Sequence, residues 1–366
     1  MKYYIIAGEA SGDLHGANLM KALLKRDPQA QFRFWGGDAM ATIGGTPVRH
    51  IRNLAIMGFI EVAMHLRTVL GNIAFCKRDI LQYRPDAVIG IDYPGFNLKI
   101  EAWAHQQGIR TVHYISPNLW AWKKGRIKNM RQTLDRLCFI LPFEQEFFAK
   151  NNLPQAVYVG HPLLDAVNSR NTQVFPSPRK IIALLPGSRR QELKNSLPQM
   201  ALLAKRHPEY RFIVAGMSLL GKDIYDKLIP SDSNIEVVFD QTYPLLASAH
   251  AAVVCSGTAT LETALFNVPQ VVCYRANPIS IAIAKALVGR RIKYISLVNL
   301  IADQPIVTEL IQEDFNPQRL EFEFVKITID TDNRSLMLDR YAFMRQLLGD
   351  GGASDKTAQT IIDCIQ

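Results

Sequence analysis

The sequence predicts an α/β protein of two doubly wound parallel sheets facing each other across a cleft, and three observations carry that prediction. Short apolar runs alternate with amphipathic stretches from the first residues onward, which is the pattern of βαβ units in parallel sheets. The alternation breaks once, over 163–180 (LLDAVNSRNTQVFPSPRK), where periodicity gives way to Asn, Ser, Pro and charge, and then resumes. The 366 residues, at roughly 150 per domain, allow about two domains with substantial cores.

Taken in order, residues 3–7 read as a buried strand and 8–13 as a polar turn. A helix over 14–25 then places Leu14, Ala17, Lys21 and Leu24 on one face. Further strands are expected at 31–35, 87–91, 111–115, 137–140 and 156–159, enough for one sheet in the first half. Beyond the linker, strands at 181–185, 211–215, 235–238, 252–255 and 270–273 alternate with helical stretches and make a second sheet. The tail GDGGASDKTAQTIIDCIQ reads as a flexible turn and a short helix. The expected divisions are 1–165, 166–344 and a final segment 345–366. In such sheets ligands sit at the carboxyl ends of the strands where the winding reverses.

Composition removes several classes. The chain is 48% apolar and 20% charged, which is ordinary globular usage. Its 42 basic and 33 acidic side chains leave a net charge of +9, which favours an anionic partner: nucleic acid, a membrane surface or a phosphorylated ligand. The five cysteines are dispersed and form no Cys-x-x-Cys pair, so a disulfide framework and a zinc cluster are not indicated and a reducing compartment fits. The first residues read directly as a strand and turn rather than a signal peptide. No run approaches the ~18 apolar residues of a spanning helix, so any membrane attachment is expected to be peripheral.

Several segments can carry chemistry. In GEASGD (8–13) the spacing is not that of a dinucleotide fingerprint, and Asp13 would repel a phosphate there; Ser11 or Asp13 can cap the helix, or Glu9 and Ser11 can orient a sugar. In GIDYPGFN (90–97) a buried strand delivers Asp92 at its carboxyl end, placed either to form a turn or to act as a general base on a hydroxyl nucleophile. His113, in the next strand, can orient Asp92 or be a satisfied core histidine. Trp120 and Trp122 precede Lys123, Lys124, Arg126, Lys128 and Arg131, a cluster suited to phosphate or headgroups, or else a solvated helix face.

Two further strand-turn-helix segments suit a nucleoside diphosphate. LLPGSRRQE (184–192) offers Gly187, Ser188 and Arg189, small residues that let backbone N–H groups approach an anion and a guanidinium that can fork onto it. VVCSGTATLETAL (253–265) offers Ser256, Gly257 and Thr258 at a helix start, with Glu262 one turn along to accept from ribose hydroxyls. Metal chemistry has little support: the eight histidines are dispersed, and the triplet Asp330-Thr331-Asp332 reads as a surface turn. Residues 55–75 read as one helix with a narrow polar stripe of Glu61, His65, Thr68 and Asn72, either a core helix or an interfacial one with basic residues at headgroups.

The ordered set of motifs resembles the bacterial lipid-A-disaccharide synthases, glycosyltransferases of the GT-B fold with two Rossmann-like domains. The resemblance rests on GEASGD, AIMGFIEV (55–62), GIDYPGFN, HYISPNLWAW (113–122), LPFE (141–144), Gly160-His161, LPGSR (185–189), SGTATLE (256–262) and YISLVNLIA (294–302). It implies an inverting transfer of 2,3-diacylglucosamine from UDP-2,3-diacylglucosamine to 2,3-diacylglucosamine 1-phosphate. The products would be UDP and the β-1,6 lipid A disaccharide 1-phosphate.

Carried over by motif, Asp92 and Arg189 are the expected catalytic residues. Gly187, Ser188, Ser256, Gly257, Thr258, Glu262 and Asn299 are expected at the UDP donor, and Glu9, Ser11 and His113 around the acceptor sugar. Ile56, Met57, Phe59, Ile60, Leu66, Arg67, Val69 and Leu70 are expected to meet acyl chains or the bilayer, and Lys123, Lys124 and Arg126 a phosphate or headgroup. The chain departs from the family pattern at Val298, where proline is common, and at Gly95, often acidic.

The resemblance further implies a metal-independent enzyme without cofactor, cytoplasmic and peripheral on the cytoplasmic face of an anionic inner membrane. It implies no nucleic acid partner, allows a homodimer, and returns the last helix to the first domain. The rival readings are another GT-B enzyme acting on UDP-N-acetylglucosamine, a nicotinamide-dependent oxidoreductase, and a basic membrane- or RNA-binding module.

Overall fold

The computed structural model describes residues 1–53, 66–117, 119, 125–168, 174–276, 293–329 and 332–366. They form two compact units, Met1–Asp165 with Asp350–Gln366, and Ala166–Gly349.

In the first unit β1 (Lys2–Ala7), β2 (Gln31–Gly36), β3 (Thr46–His50), β4 (Ala87–Ile91), β5 (Arg110–Tyr114), β6 (Arg136–Phe139) and β7 (Ala156–Tyr158) make one parallel sheet in the order 3-2-1-4-5-6-7. In the second, β8 (Ile181–Leu185), β9 (Arg211–Gly216), β10 (Ile235–Phe239), β11 (Ala249–Cys255), β12 (Gln270–Tyr274) and β13 (Thr308–Ile311) are ordered 10-9-8-11-12-13. Both sheets therefore reverse their winding beside the first strand, between β1 and β4 and between β8 and β11. The central strands β1, β4 and β8 are apolar runs because helices cover both faces of a parallel sheet.

The expected strands are present, and two more were not expected. β3 (TPVRH) and β13 (TELI) each close an edge of a sheet and are only partly buried, so neither carries an apolar run. Pro47 is tolerated in β3 because an edge strand has a row of N–H groups with no ladder partner.

Other boundaries differ too. The first helix is Ala10–Arg26, four residues earlier than the apolar spacing placed it, so Ser11 and Asp13 lie inside the helix and neither is its cap. Asp13 instead accepts from the backbone N–H groups of Gly37 (2.6 Å), Ala39 (2.9 Å) and Met40 (3.1 Å), satisfying the start of the short helix Asp38–Ala41. The expected linker begins as a helix, Pro162–Asn168, with the unit boundary inside it.

The helix expected at 55–75 is described as Leu66–Tyr83, eight residues longer at its end. Ile73 and Phe75 pack on a core of Tyr4, Trp35, Cys76, Ile80, Val88, Phe96 and Ile100. The last helix, Ala353–Ile365, lies against the helix Ala10–Arg26 and against β5 and β6. Asp165 holds its start, accepting from the N–H groups of Gly352 (2.6 Å) and Ser354 (3.1 Å). The chain thus rejoins the first unit at Asp350 rather than at residue 345.

Candidate functional site

At the reversal in the first unit, β1 ends in Gly8-Glu9 and β4 in Asp92-Tyr93. Parallel pairing puts Ala7 beside Ile91, so the two turns are neighbours. A Cβ on Gly8 would lie 2.5 Å from the Tyr93 ring, which is why a glycine ends β1. Asp92 and Tyr93 both adopt left-handed backbone (φ 47° and 51°), which costs on the order of 1 kcal/mol or more per residue and needs outside support.

Asn97 supplies that support. Fully buried in the first turn of the helix Pro94–Gln106, it donates its amide hydrogens toward the carbonyls of Ile6 (3.2 Å), Ile91 (3.3 Å) and Asp92 (2.8 Å). The Asp92 N–H donates to the Tyr114 carbonyl at 2.8 Å. The Asp92 side chain is half-buried, Glu9 is exposed and Ser11 is half-buried. Burial pushes the Tyr93 phenol up to about 12, and the nearby Glu9 charge adds to the effect.

The fate of His113 separates its two readings. It is wholly buried, and its Nδ1 lies 2.8 and 3.0 Å from the two carboxylate oxygens of Glu101, itself wholly buried. Burial alone would lower the His113 pKa, but the Glu101 charge and hydrogen bond, with the charge of Asp92, outweigh it and raise it. The ring is therefore a satisfied core histidine on one side and an electrostatic neighbour of Asp92 on the other. Glu101 was not anticipated; its signal was a carboxylate four residues after Asn97, on the same face of the helix.

Three other buried polar groups were given no role by the sequence reading. Glu144, the last residue of LPFE, accepts from the Ser116 hydroxyl at 2.6 Å and from the Leu141 N–H at 3.3 Å. Burial pushes its carboxyl up to about 8, against the lowering effect of those two bonds. His15 and His161 are buried, with His15 pushed down to about 4 by burial and His161 to about 3 by burial and the neighbouring His15.

At the reversal in the second unit, β8 ends in Pro186-Gly187-Ser188-Arg189 and β11 in Ser256-Gly257-Thr258. Arg189 precedes the helix Arg190–Arg206, and its side chain is 57% exposed. Gly187 has φ 112°, and a Cβ there would overlap the Glu192 side chain. The sequence placed free backbone N–H groups at this turn, but the structure fills two of them: the Glu192 carboxylate accepts from the Ser188 N–H (2.8 Å) and the Arg189 N–H (3.2 Å). The turn does bind an anion, and that anion is the protein's own side chain four residues on.

At the second turn the Ser256 hydroxyl donates to the Ile295 carbonyl at 2.9 Å. Gly257 and Thr258 are exposed at the start of the helix Thr258–Leu265. Glu262, half-buried one turn along, accepts from the Tyr243 hydroxyl at 2.9 Å.

Asn299 has a structural engagement that the sequence did not show. Its Nδ2 donates to the Val307 carbonyl and to Glu309 (both 2.9 Å), and its Oδ1 accepts from the N–H groups of Ile306 (2.8 Å) and Val307 (2.9 Å). All four positions of the amide are used, so this side chain clasps the entry to β13. Glu309 completes the clasp by accepting from the N–H groups of Ile295 and Ser296, both at 2.9 Å.

Of the basic cluster, Lys123 and Lys124 lie outside the described residues, as do Trp120 and Trp122. Arg126 is half-buried, and burial lowers its pKa, so it is not the fully solvated charge the cluster suggested. Ile56, Met57, Phe59 and Ile60 lie outside the described residues, as does the side chain of Leu66. Arg67 is exposed, Val69 half-buried, and Leu70 53% exposed. Asp330 and Thr331 also lie outside. Among the described residues no helix is long and apolar enough to cross a membrane. Nor, among them, does any group of His, Cys, Asp and Glu have the makings of a metal site.

Comparison with known proteins points one way. A family model described as lipid-A-disaccharide synthetase matches residues 3–359. The lipid-A-disaccharide synthase of Geobacter metallireducens is 35% identical over 99% of this chain and 96% of its own. That of Coxiella burnetii is also 35% identical, over 99% and 98%. Among solved structures, the Neisseria meningitidis UDP-GlcNAc 2-epimerase bound to UDP-GlcNAc aligns with a TM-score of 0.68 at 14% identity, over 99% of this chain and 100% of that one. The glycosyltransferase of kitacinnamycin aligns at 0.69 and 16%, over 99% and 98%. At such identities the structures show the shared two-sheet GT-B fold.

Proposed function

We propose a reaction from one premise: the chain belongs to the lipid-A-disaccharide synthase family, and it is a hexosyltransferase that forms the lipid A disaccharide. The donor is UDP-2,3-diacylglucosamine and the acceptor 2,3-diacylglucosamine 1-phosphate, joined β-1,6 with inversion and release of UDP. One observation carries the assignment of the site. In both units, the residues suited to this chemistry end the two strands that flank the reversal of winding, where doubly wound sheets bind ligands.

Asp92 takes the proton of the acceptor 6-hydroxyl. The oxygen attacks the anomeric carbon from the side opposite UDP while the bond to the diphosphate oxygen breaks, through a transition state with oxocarbenium character. Arg189, exposed and able to fork onto a diphosphate, offsets the charge of the leaving group. The helix start at Gly257-Thr258 does the same with its backbone N–H groups and dipole. Glu262, which accepts from the Tyr243 hydroxyl, also accepts from a ribose hydroxyl. No step requires a metal, so chelators should leave turnover unchanged.

Glu9 and Ser11 border the same reversal as Asp92 and orient the acceptor sugar. The exposed apolar and basic residues of the helix Leu66–Tyr83, Leu70 and Arg67 among them, meet acyl chains or anionic headgroups at the cytoplasmic face of the inner membrane. The decisive experiment is incubation with the UDP-diacylglucosamine donor and the monosaccharide phosphate acceptor. Disaccharide and UDP in equal amounts are expected. UDP-N-acetylglucosamine consumed in preference to the acylated donor would overturn the substrate assignment.

A further inference from the structure

We propose that Glu101 and His113 form a buried positioning dyad for Asp92, in which Glu101 fixes the His113 ring as a cation and that cation keeps Asp92 in its ionised, proton-accepting form. The proposal rests on the reading of Asp92 as the base.

The geometry begins in the sheet. His113 on β5 stands in register with Gly90 on β4, two residues before Asp92. A Cβ on Gly90 would overlap the Glu101 carboxylate and lie 2.9 Å from the Asn97 Cβ, so the glycine opens the space through which the helix Pro94–Gln106 lowers Glu101 onto the histidine. Both Glu101 oxygens lie within 3.0 Å of Nδ1, a position at which only an N–H is accommodated. Nε2 is buried and has no hydrogen-bond partner among the described residues. The Ile115 backbone favours the protonated ring.

Among the described residues, those packed on His113 from the neighbouring strand and helix are apolar. β6 brings Leu137 into register with His113, and the helix Arg126–Thr133 packs Ile127 and Met130 in the same cluster as Leu137. Tyr114 belongs to the opposite face, toward Ser354 and Thr357 of the last helix. Among the described residues, the charges acting on the ring are Glu101 and Asp92. A buried ion pair is a poor source of stability compared with apolar packing, whereas a fixed cation beside a general base has a direct chemical use.

The test is the pH dependence of kcat for the wild type, Glu101→Gln, His113→Gln and the double variant, with donor KM and UDP affinity measured alongside. Each single variant should move the acid limb of the profile to higher pH by about one unit, because Asp92 loses its cationic neighbour. The double should move it no further, and KM should stay within about twofold, as befits a group outside the donor site. If a single variant fails to fold because it strands the other charge, the double, which removes both, carries the same expectation. Variants that melt earlier while the acid limb stays in place would overturn the dyad and leave it a structural pair. Asp92→Asn keeps the two questions apart: retained turnover there sinks the base assignment itself, whereas lost turnover with an unmoved limb sinks only the dyad.

Discussion

Ser116 donates its hydroxyl hydrogen to Glu144 at 2.6 Å, and this bond ties the turn after β5 to the turn after β6. Burial pushes the Glu144 carboxyl from 4.5 up to about 8. The sign follows from proton counting. As pH rises from 4.5 toward about 8 the unfolded chain releases this proton while the folded protein keeps it, so Glu144 makes stability fall across that window. In Glu144→Gln the amide oxygen still accepts from Leu141, the Ser116 hydroxyl turns to accept the amide hydrogen, and nothing titrates. Denaturant titrations at several pH values should show the variant gaining on the wild type as pH rises.

Gly90→Ala places a methyl group where the Glu101 carboxylate and the Asn97 side chain now lie. Both are wholly buried and neither has a route to solvent. Overpacking of this kind costs about 1–3 kcal/mol. Thermal melting should register that loss, and turnover should fall with it because Asn97 also holds the backbone of Asp92.

Asp92→Asn preserves the size of the side chain and the Asp92 N–H bond to Tyr114. It removes the proton acceptor. Turnover should fall by about two orders of magnitude or more, the usual contribution of a general base, while calorimetry shows UDP binding unchanged. Near-normal turnover would contradict the proposed role.

Glu192 occupies the N–H groups of Ser188 and Arg189 with a negative charge at the turn proposed to meet the diphosphate. Glu192→Gln retains an oxygen to accept those bonds and removes the charge. UDP should bind several-fold tighter to the variant, with a stronger dependence on salt, as titration calorimetry can measure. Weaker binding would mean that Glu192 helps to hold the ligand.

Leu70 exposes 53% of its surface one turn from the exposed Arg67. Leu70→Asp should lower binding to anionic liposomes without lowering the melting temperature, since the position is not part of the core. Unchanged liposome flotation would remove this helix from the membrane contact.

Much of the fold was legible because a strand covered on both faces must be apolar throughout. The runs at β1, β4 and β8 announce themselves for that reason. The edge strands β3 and β13 did not, since partial exposure lets them carry Thr, Arg, Glu and Pro. The helix Ala10–Arg26 began earlier than its apolar spacing suggested because its first turn, Ala10-Ser11-Gly12-Asp13, carries no large apolar side chain.

The site divides along the same line. The places of Asp92 and Ser256 at the ends of β4 and β11 were legible in the sequence, because a polar residue directly after a buried strand has only the carboxyl edge of the sheet to occupy. Which polar groups are already spent was decided by the tertiary structure, since hydrogen-bond partners come from distant parts of the chain. Folding commits Asn299 to Ile306, Val307 and Glu309, sets Glu101 on His113 and closes Glu144 on Ser116. It also fills the N–H groups of the 187–189 turn with Glu192. The order of the residues determined two parallel sheets and the motifs at their edges. Only packing decided which of those residues remain available to a ligand, because a buried donor or acceptor satisfied inside the protein is no longer offered to anything outside it.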